Sequence, residues 1–399
     1  MELFVSVDEA RTAIRRGLPE PRQEIVPLEA AYGRILLHEV ISKEAIPPFP
    51  NSAMDGFAVR SADLADSGGT LRCTGEIAAG AWPANAVREG TCVRIMTGAP
   101  MPDGADAVVP VEWTREQGDA VVVDRGISPG RHLRAAGEDM APGQVVLRAG
   151  ADVAAGAVAV LATIGQSEVV VGRRPSVAVI ATGDELVPHS ETPARGQIRN
   201  SNGPALAVRV EEAGGRLAGQ WVARDNRQSV RAVLAEAKGA DVLVFSGGVS
   251  MGEYDLVRAV LEENGFEAAF WKVKQRPGKP LVFGTLERRP VFGLPGNPVS
   301  SSVCFDQYVR PALRYMQGAA RPHRPRYPAQ LTADFPKPRG LHVFARAVVT
   351  GAEGMLQASP TGSQGSHIST SLVGANALLH LPAEWEAAPA GAMAEVEFL

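Results

Sequence analysis

Cysteine is nearly absent: Cys73, Cys92 and Cys304 are the only three in 399 residues, and none has a partner at C-x-x-C distance. That spacing excludes a disulfide framework and points to buried thiols in a reducing compartment. No apolar run reaches the ~20 residues needed to cross a bilayer. Residues 1 to 9 lack the basic and apolar regions of a signal peptide. The expectation is a cytoplasmic protein without membrane contact. Net charge is small, a formal −4, so nucleic acid is not an expected partner. There is no Walker A loop, no Gly-x-Gly-x-x-Gly fingerprint and no His/Cys cluster at zinc spacing.

What is present is an ordinary globular composition, 45% hydrophobic and 21% charged, with 42 glycines and 30 prolines dispersed through many turns. The length suits roughly two to four domains. The most informative stretch is Ser246-Gly247-Gly248-Val249-Ser250-Met251-Gly252-Glu253-Tyr254-Asp255. An apolar run of the kind that fills a buried parallel strand precedes it, and Leu256, Val257, Val260 and Leu261 follow at helical spacing. In such a strand-to-helix turn, adjacent glycines let backbone N–H groups approach an anion. Glu253 and Asp255 can hold a divalent cation against it. The competing reading is a plain turn with positive-φ glycines and helix-favouring acids. Recurrence of the layout decides between them.

Taken in order, residues 6 to 17 predict a helix capped by Ser6, and 27 to about 37 a second short helix. Prolines 47, 48 and 50 fix an extended lead into Asn51-Ser52-Ala53-Met54-Asp55-Gly56. From about 56 to 147 short strands alternate with turns, a β-rich domain. Residues 152 to 164 predict a helix returning to the first pair, so the β-rich unit is inserted into a helical one. Arg131, Arg134, Glu138 and Asp139 read as a solvated loop. Residues 176 to 318 alternate strand and helix, which implies a parallel, doubly wound α/β sheet. An Arg/Pro-rich linker at 321 to 326 reads as a solvated hinge, and 328 to 399 as a small β-barrel.

Ligands of a parallel sheet bind outside the carboxyl ends of its strands. Polar residues follow the strands at that end four times: Gly183-Asp184-Glu185, Asp225, Gly247 to Asp255, and Gly293 to Ser302. Carboxylates among anion-binding turns suggest Mg²⁺ bridging to a phosphorylated ligand. Arg276 and Lys279 flank a Pro-Gly turn and supply fixed positive charge suited to an oxyanion. Ser300, near a helix start, can donate to the same anion. Any single acid is more often a helix cap; caps need not all fall on one rim. His367 reads as structural rather than as a metal ligand.

These motifs together resemble the molybdopterin molybdenumtransferases, the MoeA family, which includes the gephyrin E domain. The match is carried by Pro47-Pro48-Phe49, Ser52-Ala53-Met54-Asp55-Gly56, Met96-Thr97-Gly98-Ala99, Thr182-Gly183-Asp184-Glu185-Leu186, the 247–255 stretch, Pro277-Gly278-Lys279-Pro280 and Leu294-Pro295-Gly296-Asn297-Pro298-Val299-Ser300. The resemblance implies four parts: a discontinuous helical domain (1–45 plus 141–175), an inserted β domain (46–140), a molybdopterin-binding-type α/β domain (176–326) and a C-terminal β-barrel (327–399). It implies a homodimer with a shared active site, Mg²⁺ as cofactor, and molybdate and adenylylated molybdopterin as substrates. The implied reaction cleaves the adenylate, releases AMP and leaves molybdenum on the dithiolene. By resemblance Asp55, Glu185, Asp225 and Asp255 are catalytic, the last three as metal ligands. Thr97, Gly247, Gly248, Ser250, Arg276, Lys279, Pro295, Gly296, Asn297, Ser300 and Ser366 contact substrate or phosphate. The adenylylating enzyme and recipient molybdoenzymes are the implied protein partners.

The chain departs from the family at Pro50, commonly Asp, at Phe57, commonly Tyr, and at Arg276, commonly Lys. Gly340 to Arg346 follows the family's Gly-Arg-x-Glu-Phe-x-Arg pattern only loosely. Two rival functions are the preceding adenylylation step, whose family carries a Thr-Gly-Gly-Thr-Gly loop, and a non-catalytic scaffold like the gephyrin E domain at receptors.

Overall fold

The structure is a computed structural model that describes residues 4–248, 256–352 and 354–399. The stretch 249–255, which includes Ser250, Glu253 and Asp255, lies outside them.

Runs of consecutive apolar residues need cover on both faces, and two such runs form the centre of the α/β domain. Ser176–Thr182 and Val242–Ser246 are buried along their whole length. Alternate side chains feed different cores. Val177, Val179, Val242 and Val244 meet Leu206, Val210 and Phe305 on one face. Ala178, Ile180, Leu243 and Phe245 meet Val230, Val233 and Val257 on the other. Across the six-stranded sheet the order is Arg216–Ala223, Ser176–Thr182, Val242–Ser246, Arg289–Leu294, Val282–Leu286, Phe266–Trp271. The first four are parallel, as the alternation of elements implies. Val282–Leu286 alone is reversed, antiparallel to both of its neighbours, Arg289–Leu294 and Phe266–Trp271. The cause is the connection: Val282–Leu286 and Arg289–Leu294 are joined by Glu287 and Arg288 alone, both at positive φ (50° and 66°). A two-residue turn of that hand closes a hairpin and is far too short for a parallel crossover.

Ser6 caps the first helix, Val7–Gly17, through a reciprocal pair of bonds: Glu9 N–H donates to Ser6 Oγ, and Ser6 N–H to the Glu9 carboxylate. Its buried face, Val7, Ala10 and Ile14, joins the α/β core. The helix therefore packs with the α/β sheet, although sequence position groups it with the discontinuous unit. The second expected helix, 27 to about 37, does not form. Gln23–Pro27 is a strand paired antiparallel with Glu168–Gly172, followed by one 3-10 turn, Leu28–Ala30. Gly33, at φ 72°, turns the chain. Ile35 and Leu36 are buried because they bridge Asp152 and Val171, not because they share a helix face. Helix Ala155–Thr163 packs over this unit through Leu161. Gly172 abuts the end of the long α/β helix so closely that a Cβ there would overlap the Gln317 carbonyl.

The inserted domain is a six-stranded sheet in the order Ala107–Pro110, Gly56–Val59, Thr91–Ile95, Gly69–Ile77, Ala120–Val123, Thr114–Gln117. The barrel closes through His342–Ala352, Met355–Pro360, Tyr327–Leu331, Met393–Phe398 and Ala377–Leu381, whose last member pairs back to the first. Gln275–Arg276 pairs with His342 and Val343, tying barrel to α/β domain. All three cysteines are free thiols, and burial pushes Cys92 up to about 12. Among the described residues no helix is long and apolar enough to cross a membrane.

Several histidines are held neutral by burial. His342 stacks near Phe344 and His380, with ring centroids at 4.5 and 5.6 Å, and burial pulls it down to about 3. His323 is drawn down to about 4, again mainly by burial. An unfolded chain takes up these protons as pH falls through ~6.5, whereas the fold does not. Their contribution is complete above about pH 6.5 and declines from there to about pH 4 for His323 and about pH 3 for His342. Melting temperature should therefore drop on acidification from pH 7.5 to 4.5, with a smaller drop in His342→Asn. An equal drop in that variant would remove His342 as a cause.

Candidate active site

Parallel register brings the ends of four strands to one rim, and the residues that follow them enclose a cleft of about 830 Å³. Glu185, Asp225, Gly247, Gly248, Gly296 and Asn297 all line it. Gly247 and Gly248 hold φ of 88° and 64°, values that favour glycine. A Cβ on Gly248 would also press into Val257 Cγ2 at 2.8 Å. The Gly247 N–H donates to the Leu294 carbonyl at 3.0 Å, fastening one rim turn to the next strand.

The two acid-bearing loops lock each other. The Asp225 N–H donates to Asp184 Oδ1 at 3.0 Å, the Asp184 N–H to Asp225 Oδ2 at 3.4 Å, and Arg224 Nη1 to the Asp184 carbonyl at 2.6 Å. This arrangement keeps Glu185 and Asp225 on one wall while Asp184 does structural work. Asn226, next in line, caps the helix Arg227–Glu236 through Ser229 N–H. At the floor, the Thr182 hydroxyl lines the cleft, is buried, and has no hydrogen-bond partner among the described residues. Such an orphan is costly unless a ligand or water completes it.

Asn202 carries no expectation from the sequence, yet it joins two walls. Its Nδ2 donates to Ser246 Oγ at 2.8 Å and to the Gly296 carbonyl at 2.7 Å. The available signal was its place in the polar run 199–202 at the head of a helix. The barrel also reaches the cleft: Asn297 Nδ2 donates to Ser366 Oγ at 3.2 Å, Val299 N–H to the Ser366 carbonyl at 3.2 Å, and His367 lines the wall.

Other expected residues lie elsewhere. Pro295 is buried under the rim, and Ser300 is buried in the helix behind it. Arg276 and Lys279 are exposed on the Pro277-Gly278 turn and do not line the cleft; the Lys279 ammonium stands 5.1 Å above the Phe4 ring. Arg276 faces Arg346, which is 1% exposed and donates to Ser371 Oγ at 3.1 Å and the Gly365 carbonyl at 3.2 Å. Burial first, then Arg276, pulls the Arg346 guanidinium down to about 10. Asp55 and Thr97 form a separate exposed pair on the β domain, Thr97 N–H and Oγ1–H both donating to Asp55 Oδ1 at 2.7 Å. Those bonds hold the Asp55 carboxyl below its ordinary range.

The donor set suits Mg²⁺. Among the described residues no three or more His, Cys, Asp or Glu side chains form a ready metal cage. Mg²⁺ is usually held by one or two carboxylates, with waters and substrate phosphate oxygens completing the octahedron. Glu185 and Asp225, which both line the cleft, would supply two such carboxylates beside the glycine turns.

A doubly wound α/β domain with its cleft at the strand ends, a β insertion and a closed barrel define the class, and the comparisons define the family. Residues 5–165 match the MoeA N-terminal region (domain I and II), 178–315 the "Probable molybdopterin binding domain", and 328–399 the MoeA C-terminal region (domain IV). The chain is 36% identical to molybdopterin molybdenumtransferase 2 of Mycobacterium tuberculosis, over 98% of each sequence. It is 36% identical to the Haemophilus influenzae molybdopterin molybdenumtransferase, over 99% of this chain and 98% of that one. It superposes on the molybdopterin biosynthesis MoeA protein of Pyrococcus horikoshii with a TM-score of 0.86 and 30% identity, covering 99% and 100% of the two chains. The chain belongs to the molybdopterin molybdenumtransferase family, transferases of molybdenum cofactor biosynthesis.

Asn202→Ala should leave the fold intact and free both loops. Affinity for a phosphorylated ligand should then fall about tenfold, the scale of two lost hydrogen bonds. Unchanged affinity by calorimetry would make Asn202 a purely local tie.

Proposed function

We propose that the chain transfers molybdenum from molybdate to adenylylated molybdopterin, with Mg²⁺-dependent cleavage of the adenylate and release of AMP. The observation that carries this reading is the cleft itself, where two carboxylates face glycine turns with open backbone on one rim. Glu185 and Asp225, with Asp255 outside the described residues, would hold Mg²⁺. Bound there, the ion would neutralise charge on the phosphoanhydride.

The remaining roles are assigned to this chain's own groups. The backbone N–H of Gly248, with Ser250 beyond the described residues, donates to phosphate oxygens, while Gly247, its own N–H held by the Leu294 carbonyl, lets the backbone come close to the phosphate. Pro295, Gly296 and Asn297 shape the opposite wall. Arg276, Lys279, Ser300 and Ser366 form the oxyanion set for molybdate, with the two cations supplying fixed charge. Asp55 and Thr97 sit on another domain and do not line the cleft, so a homodimer that presents this pair to the neighbouring subunit's cleft completes the acid set. A cytoplasmic setting, an upstream adenylylating enzyme and downstream molybdoenzymes complete the reading.

The test is AMP release from adenylylated molybdopterin with Mg²⁺, with and without molybdate. Release that requires both is expected. Loss of one carboxylate of a catalytic metal site is worth several kcal/mol, so Asp225→Asn should lower kcat/KM about a hundredfold or more. AMP release indifferent to molybdate, or consumption of ATP in its place, would overturn the assignment.

A further inference from the structure

Trp82 is 72% exposed, the most solvent-exposed aromatic ring among the described residues. An indole that open to water presents a large flat face on which another aromatic ring can stack. It is not loose: Phe49, half-buried, meets it edge-to-face, with ring centroids 5.4 Å apart and planes at 88°. Pro83 follows directly and restricts the backbone at Trp82.

The position of this pair gives it meaning. Ile77 and Ile95 are register partners, and Met96 N–H donates to the Ile77 carbonyl, so the loop carrying Trp82 and the loop carrying Thr97 leave the sheet together. The segment carrying Phe49 is stitched to the same loop. Gly98 N–H donates to the Ser52 carbonyl, Ser52 N–H to Ala99, and Met101 N–H to Pro50. The Phe49–Trp82 pair and the Asp55–Thr97 pair thus stand at one end of the β domain.

We propose that Trp82, braced edge-on by Phe49, is a stacking platform for a flat fused heteroaromatic ring of the substrate. This rests on the reading given under Proposed function. In adenylylated molybdopterin the pyrophosphate lies between two such rings, adenine and pterin. With Asp55 and Thr97 addressed to the pyrophosphate, a ring falls beside them whichever way the substrate lies. Stacking tolerates either ring, because each offers a π face.

The experiment compares wild type, Trp82→Ala and Trp82→Phe as full-length protein. The indole is mostly exposed, so the fold should survive its removal. Loss of one base–aromatic stack corresponds to roughly tenfold weaker binding. Trp82→Ala should raise KM for adenylylated molybdopterin by about that factor with kcat within about twofold, and Trp82→Phe should recover most of it. Equilibrium titration with AMP and with molybdopterin lacking the adenylate identifies the ring, since only the probe that stacks loses affinity in Trp82→Ala. Unchanged KM and unchanged affinity for both probes would overturn the proposal while wild-type turnover left the function standing. A weakened dimer with unaltered affinities would also overturn it and make Trp82 a subunit contact. If wild type releases no AMP, the functional reading fails separately. Direct binding of adenylylated molybdopterin to wild type and Trp82→Ala then still decides the platform: weaker binding by the variant upholds it, and equal or absent binding rejects it.

Discussion

One carboxylate sets the level from which the α/β domain is built. Asp241 accepts from the Ser176 N–H at 2.8 Å and hydroxyl at 2.7 Å, and from Arg173 Nη2 at 2.7 Å. It joins the starts of the two central strands, and parallel register carries that alignment to their far ends. Ala181 stands opposite Ser246, and Ser246 opposite Leu294. With the strand ends level, Glu185, Asp225, Gly247 and Gly296 have no choice but one rim. A slip of one residue would reverse every side chain between the two cores.

The neighbouring domains act on that rim rather than beside it. The barrel supplies Ser366 and His367, and its edge receives Gln275–Arg276, which sets the cationic turn. Arg346 is the strongest sign of tension at this junction: a buried guanidinium, facing Arg276, with carbonyl and hydroxyl acceptors and no carboxylate partner among the described residues. Buried cations are normally paired, so an anion arriving between Arg276 and Arg346 would relieve both. The loosely matching stretch Gly340 to Arg346 thus still delivers a guanidinium to the turn, whatever its other differences.

Much of the fold was legible in the sequence where one physical signal acted alone. Continuous apolar runs marked Ser176–Thr182 and Val242–Ser246, and the Ser6–Glu9 spacing marked a capped helix. Glycine-rich polar turns after strands marked the rim. The errors arose where two signals coincide. Leu28, Ala31, Ile35 and Leu36 have helical spacing, yet β pairing and Gly33 account for their burial equally well. The reversed strand was hidden because its hairpin uses Glu287 and Arg288 where Asn or Gly would announce the turn. Asn202 was invisible because an amide between two loops has no sequence signature. Sequence motifs group Asp55 and Thr97 with the other acids, but only the fold shows them on a different domain.

That separation makes the shared site the central claim, and subunit complementation tests it directly. Asp55→Ala and Asp225→Ala dimers, each inactive alone, are mixed and allowed to exchange. If each cleft is completed by the partner subunit, a mixed dimer holds one intact site and one doubly defective site. Statistical exchange should then restore about a quarter of wild-type molybdate-dependent AMP release. Dimers shown to have exchanged but still inactive would contradict the account and confine each site to a single chain.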